Sequence, residues 1–133
     1  MLVVDDDSAV RLSLVMGLVL RNFDVVEAAN AEEALSIFEA FPGRIDVAVV
    51  DIVMPRMWGD ELGSRLKTLQ PDLPIIYVSG NSHETMVARG ILSVDDLFLG
   101  KPFLTSTLAA KLEELLSGDG SGALRNRSAS ARA

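Results

Sequence analysis

Four places in the sequence carry side chains that could act together. Asp5, Asp6 and Asp7 follow the β-branched run Leu2-Val3-Val4, and Asp51 ends the apolar run Val47-Ala48-Val49-Val50. Ser79 follows the apolar segment 73–78, and Lys101 follows the segment 96–99. Carboxylates grouped with a hydroxyl and an ammonium make an oxygen-lined cation site beside a group able to accept phosphoryl. Mg²⁺ suits such a site, because that ion takes a couple of carboxylates, keeps waters and draws in phosphate oxygens. A phosphoryl group on Asp51 would have its charge balanced by the metal, by Lys101 and by a hydrogen bond from Ser79. The plainer readings are that Asp51 caps the loop leading to Pro55 and that the early acids serve a helix N-terminus, with Ser8 or Asp7 as its cap. Helix capping accounts for one or two of three adjacent acids; crowding all three is costly unless a cation sits among them.

These residues act together only if the chain brings them to one place. Apolar runs without alternation, such as 47–50 and 73–78, read as strands covered on both faces of a parallel sheet. Shorter strands are expected at 2–4, 24–28 and 96–99, the second an edge strand carrying charge. Helical spacing alternates with them. Residues 8–23 carry one stripe of Val10, Leu14 and Leu18 and a second of Leu12, Val15, Met16 and Val19, so this helix is either deeply buried or offers one side to a partner. The next helix starts at the Asn30 cap with an acid at Glu33, turns Ala34, Leu35, Ile37, Phe38 and Phe41 inward, and stops at Pro42-Gly43. A third over 60–69 buries Leu62, Leu66 and Leu69; a weaker fourth spans 82–90. Thr105 caps a fifth with Leu108, Leu112 and Leu115 inward. Five strands alternating with five helices, joined by right-handed crossovers, form a parallel α/β sheet between helix layers, and the named side chains then share the edge at the strand C-termini.

At 133 residues the chain is read as one domain over 1–117, followed by a disordered tail over 118–133, where only Leu124 is apolar. The net charge is −7; the tail carries three arginines and one aspartate, leaving −9 for the body. An acidic body repels phosphate backbones, so no direct nucleic-acid partner is expected. Absence of cysteine excludes disulfides and thiolate metal sites and suits a reducing compartment. No run is long enough for a membrane span and none has the form of a signal peptide, so a cytoplasmic location is expected. The first strand begins with almost no lead-in, which reads as a fragment or trimmed piece.

From residue 2 to about 117 the chain resembles the receiver domains of two-component response regulators. The matching pieces are Val3-Val4-Asp5-Asp6, Asp51-Ile52-Val53-Met54-Pro55 with Gly59, Val78-Ser79-Gly80 and Lys101-Pro102-Phe103. The resemblance implies a flavodoxin-like (CheY-like) fold, with strand order 2-1-3-4-5 and helices on both faces. It implies that Asp51 accepts a phosphoryl group from a histidine kinase or a histidine phosphotransfer protein. Asp5, Asp6, Asp51 and the Val53 backbone carbonyl would hold Mg²⁺, and Ser79 and Lys101 would grip the phosphoryl oxygens. The Lys101-Pro102 bond would be cis. Ser79 and Phe98 would move on phosphorylation and switch the surface of the fourth helix, fifth strand and fifth helix, which is also the candidate homodimer face. Such a domain is a self-modifying acceptor with slow self-dephosphorylation rather than an enzyme.

Three departures stand out. Trp58 precedes Gly59 where many members have aspartate, Phe98 lacks the hydroxyl of the common tyrosine, and Val53 is apolar where a polar side chain could orient water. The pieces 79–81, 88–92 and 99–103 look more like receivers of hybrid histidine kinases than of transcription factors. The stripe Leu12, Val15, Met16 and Val19 is the candidate docking face for the partner bearing the histidine. His83, the lone histidine, reads as a solvated residue. The principal rival is a pseudo-receiver that binds protein without phosphorylation, though it would not need Asp5, Asp6, Asp51 and Lys101 together. A haloacid dehalogenase would need an acid at Val53, and a flavin-binding relative would need a phosphate cradle after the first strand.

Overall fold

The β-branched and apolar runs pair into one sheet, and the helical stripes cover both of its faces. The computed structural model describes residues 1–43 and 45–117; the tail expected to be disordered lies outside the described residues. The elements are β1 (Leu2–Val4), α1 (Ser8–Val19), β2 (Val26–Ala28), α2 (Ala31–Ala40), β3 (Ala48–Asp51), α3 (Gly59–Leu69), β4 (Ile75–Ser79), α4 (His83–Ala88), β5 (Leu97–Gly100) and α5 (Thr105–Ser117). The five strands lie in the order β2-β1-β3-β4-β5, and every neighbouring pair is parallel.

Alternate strand residues feed two cores, as the strand period of two requires. On one face Val4, Val50, Ile75 and Tyr77 pack with Ala34 and Phe38 of α2, Leu62 and Leu66 of α3 and Met86 of α4. On the other face Val3, Val49, Ile76 and Val78 pack with Leu14 and Leu18 of α1 and Leu108 and Leu112 of α5. Each fully buried leucine here contributes about 2 kcal/mol by leaving water.

Several local expectations give way to end effects. α1 stops at Val19, and Asn22 then takes a positive φ of 69°, so the chain turns four residues earlier than the apolar pattern suggests. Phe41 is exposed because it is the C-cap of α2, with φ −127° and ψ 62°, and has left the helical path. Leu69 is exposed as the last residue of α3, and Leu73 is buried after it. In α5, Leu116 is buried and Leu115 only partly so, while Thr105 is the first helical residue instead of the cap; the Leu104 carbonyl accepts from the Thr107 and Leu108 amides. In α1 only Leu14 and Leu18 are buried; Val10 is exposed.

Candidate functional site

The strand register assembles the site. Val4 pairs with Val50, so Asp5 leaves β1 beside Asp51 at the end of β3. Asp51 pairs with Val78, which places Ser79 one step further along β4, and Ser79 pairs with Gly100, so Lys101 emerges next to it. Two backbone bonds tie these ends together: the Ile52 amide donates to the Val78 carbonyl at 3.0 Å, and the Lys101 amide to the Ser79 carbonyl at 2.8 Å. Gly59 is required where it stands, because a Cβ there would overlap the Asp51 carbonyl oxygen. Its amide donates to the Ile52 carbonyl at 2.7 Å and closes the loop after the aspartate.

Asp5 and Asp51 are buried, 2% and 6% exposed, whereas Asp6 is exposed. One carboxylate oxygen from each of the three lies within 4.8 Å of the others. Lys101 Nζ reaches Asp5 Oδ2 at 3.1 Å and Asp51 Oδ1 at 3.3 Å. Burial, reinforced by the charge of Asp5, raises the Asp51 carboxyl to about 6, and Lys101 opposes that rise. For Lys101, burial alone would lower the ammonium, but the Asp51 and Asp5 carboxylates outweigh it and the net direction is upward. The donor set fits the implied metal: three hard carboxylate oxygens, one of them on an exposed side chain, with a half-buried lysine paired to the two inner acids.

Asp7 does not join this group, because its Oδ1 accepts from the Ala9 and Val10 amides and caps α1. Ser79 is 1% exposed, and its Oγ accepts from the Asn81 amide at 3.0 Å. The Lys101-Pro102 bond is cis. Val53 and Trp58 stand exposed in the loop beside Asp51, and Trp58 heads α3 without a side-chain capping bond. Phe98 is half-buried, on the strand position paired with Tyr77.

Two features differ from the sequence reading. His83 is only partly solvated: it is half-buried, and its ring stacks on Phe98 with centroids 5.0 Å apart and planes 12° apart, while Nε2 lies 3.0 Å from the Ser93 carbonyl. Two residues at the start of a helix and the middle of a strand give no local sign of such a contact. Within the α1 stripe, Leu12, Met16 and Val19 are exposed, but Val15 is half-buried against the core shared with α5. Arg11, which the sequence reading passed over, is a further member of the site's surroundings: its Nη1 donates to the Asp5 carbonyl at 2.6 Å and its Nε to Glu27 Oε1 at 2.9 Å. A cleft of about 600 Å³ runs from Asp5 and Lys101 between α1 and the β5–α5 loop, lined also by Val10, Ser13, Pro102 and Phe103.

A model of the response regulator receiver domain matches residues 1–113. The sensor kinase CckA of Brucella abortus is 38% identical over 115 residues, covering 86% of this chain and 12% of that protein. The transcriptional regulatory protein PrrA of Mycobacterium tuberculosis is 38% identical over 122 residues, covering 92% of this chain and 52% of PrrA. The chain thus spans about half of one of these relatives and about an eighth of the other. The crystal structure of the receiver domain of the hybrid histidine kinase CckA superposes with a TM-score of 0.73 at 32% identity, covering 87% of this chain and 97% of that one. That of TrrA from Thermotoga maritima, solved in complex with Mg²⁺-BeF, gives 0.73 at 29% identity, covering 86% and 96%. With the sheet order, the grouped acids and the lysine between them, these matches place the chain in the response regulator receiver domain family.

Proposed function

We propose that Asp51 is the phosphoacceptor of a two-component or phosphorelay system, fed by a histidine kinase or a histidine phosphotransfer protein. The observation that carries this reading is the meeting of Asp5, Asp6 and Asp51 around one point, with Lys101 bridging the two buried members. An Asp51 carboxylate oxygen bonds to phosphorus while the bond from phosphorus to the imidazole nitrogen breaks and that nitrogen keeps the electron pair. Asp5, Asp6, Asp51 and the Val53 carbonyl would hold Mg²⁺, which would supply charge neutralisation for the phosphoryl group. Lys101 and Ser79 contact the phosphoryl oxygens. Ser79 then exchanges its bond from Asn81 for the new anion, and Phe98 leaves its stack on His83, which changes the surface formed by α4, β5 and α5. A homodimer through that surface and a cytoplasmic setting belong to the same reading; no helix among the described residues is long and apolar enough to cross a membrane.

The test is incubation with acetyl phosphate or beryllofluoride, with and without Mg²⁺, read by intact mass or Trp58 fluorescence. Mg²⁺-dependent modification of the wild type, absent in Asp51→Asn, is expected. A folded wild type that takes no phosphoryl group would favour the phosphorylation-independent binding module instead.

The apolar Val53 beside Asp51 offers no hydrogen bond to an attacking water, so the phosphoaspartate should decay slowly. Val53→Asn is expected to speed decay by roughly tenfold, a modest share of what a positioned polar group supplies. A decay rate unchanged in that variant would sink the assignment.

The exposed apolar residues Leu12, Met16 and Val19 lie on α1, the helix that forms one wall of the cleft leading to Asp5 and Lys101, and we assign this face to the histidine-bearing partner. Because Val15 also packs inward, the clean probe is Leu12→Asp with Met16→Asp. Transfer from the autophosphorylated kinase that modifies the wild type fastest should fall roughly tenfold or more, as loss of interface anchors does, while modification by acetyl phosphate is unchanged. Equal transfer rates in variant and wild type would remove the assignment.

A further inference from the structure

The metal-site acids are not held alike. Asp5 is fixed at three points: its Oδ1 accepts from the Asp7 amide at 2.9 Å, its Oδ2 meets Lys101, and its own amide continues the ladder by donating to the Ala28 carbonyl. Asp6 is exposed, and no hydrogen bond of its side chain is present among the described residues. Its placement therefore depends on what flanks it. After Asp5 the backbone leaves the sheet, so the Asp5 carbonyl has passed beyond the residues of β2 paired with β1. Arg11 provides the missing donor, reaching back from the first turns of α1 to that carbonyl at 2.6 Å. Its guanidinium is itself anchored by Glu27 of β2, and the arginine side chain is only 15% exposed. Asp7, on the far side of Asp6, caps the same helix. Both flanks of Asp6 are thus tied to one rigid helix, and that helix is tied to the edge strand.

We infer that Arg11, braced by Glu27, is a positioning residue that holds the Asp5–Asp6 turn in the geometry needed for Mg²⁺. This rests on the reading of Asp5, Asp6 and Asp51 as the metal ligands. The fork of the guanidinium is what the task needs: one nitrogen serves the carbonyl while another serves the carboxylate, and a lysine ammonium has no such fixed pair.

Charge and position make opposite predictions, which allows the two to be separated. Arg11 is a cation close to the acids, so as a bare charge it repels Mg²⁺, and its removal would tighten metal binding. As a positioning residue, its removal loosens Asp6 and weakens binding. The experiment is Mg²⁺ titration of wild type, Arg11→Met and Arg11→Lys without any phosphodonor, followed by Trp58 fluorescence and by the Mg²⁺-induced rise in thermal midpoint. Hydrogen exchange at the Asp6 and Asp7 amides is measured in metal-free protein. A roughly tenfold weaker Mg²⁺ affinity in both variants, the size typical of losing an outer-shell partner, with faster exchange at those amides, supports the inference. Arg11→Lys keeps the charge and the stem, so it stays informative if Arg11→Met folds poorly. Wild-type affinity in Arg11→Lys together with tighter binding in Arg11→Met would overturn positioning and leave charge alone. Absence of Mg²⁺ binding by the wild type would overturn the metal-site reading itself, and the inference with it.

Discussion

Replacing Lys101 by methionine is expected to destabilise the metal-free protein by about 3 kcal/mol at pH 8, within the range for removing one partner of a buried ion pair. The lysine pairs with both Asp5 and Asp51, at 3.1 and 3.3 Å, and both acids are almost fully buried. Methionine keeps the stem and the packing but leaves two like charges facing each other in a poorly solvated site. The native state can relieve this by taking up a proton on Asp51, whose carboxyl is already raised to about 6. The loss should accordingly shrink as the pH falls toward 5, where the proton is cheap to acquire, and should be greatest at pH 8. Mg²⁺ should restore more stability to Lys101→Met than to the wild type, since it no longer competes with an ammonium for the same oxygens. Combining the substitution with Asp51→Asn should recover much of the loss, because residues in one charge network are coupled. Urea denaturation of the four proteins, with EDTA or with Mg²⁺, measures all of these. A Lys101→Met protein as stable as the wild type in EDTA at pH 8 would show that the lysine does not neutralise the acids.

The fold and most of the site were legible because they depend on patterns that are local. β3 and β4 are buried on both faces, so their residues are apolar without interruption, and the first polar side chain after each run, Asp51 or Ser79, marks where the strand reaches the open edge. Parallel pairing then brings those marks together whatever the helices do in detail. What was not legible depends on pairing at a distance or on chain ends. Arg11 meets Glu27 across 16 residues, and His83 meets Phe98 between a helix and a strand; neither contact leaves a trace in periodicity. Phe41 and Leu69 continue their stripes in the sequence but sit where their helices end, so the period no longer applies to them. Val15 belongs to a helix that is apolar on two sides, and only the packing against α5 shows that it is partly core.

Asp51→Asn is expected to raise the stability of the metal-free protein at neutral pH while abolishing its modification. The folded-state carboxyl stands at about 6 against the usual 3.8. A group raised in this way binds its proton more tightly folded than unfolded. Between those two values the native state holds more protons than the unfolded chain, so stability falls as the pH rises through that window and is fully diminished above it. Two pH units of displacement correspond to about 3 kcal/mol. Asparagine removes the burden of the buried charge and keeps nearly the same shape. The gain at pH 7.5 should therefore be roughly 1–3 kcal/mol, or a few degrees per kcal/mol in thermal midpoint for a domain of this size, and should vanish near pH 4, where the aspartate is already largely protonated in the fold. Mg²⁺ should reverse the order, because an ion held through Asp51 would stabilise the wild type and gain less from the amide. Thermal melts of both proteins at pH 4 and 7.5, in EDTA and in Mg²⁺, separate these cases. An Asp51→Asn protein that in EDTA at pH 7.5 melts no higher than the wild type would show that Asp51 is already well neutralised without metal. The three acids would then be a structural network and not a site prepared for a cation and a phosphoryl group.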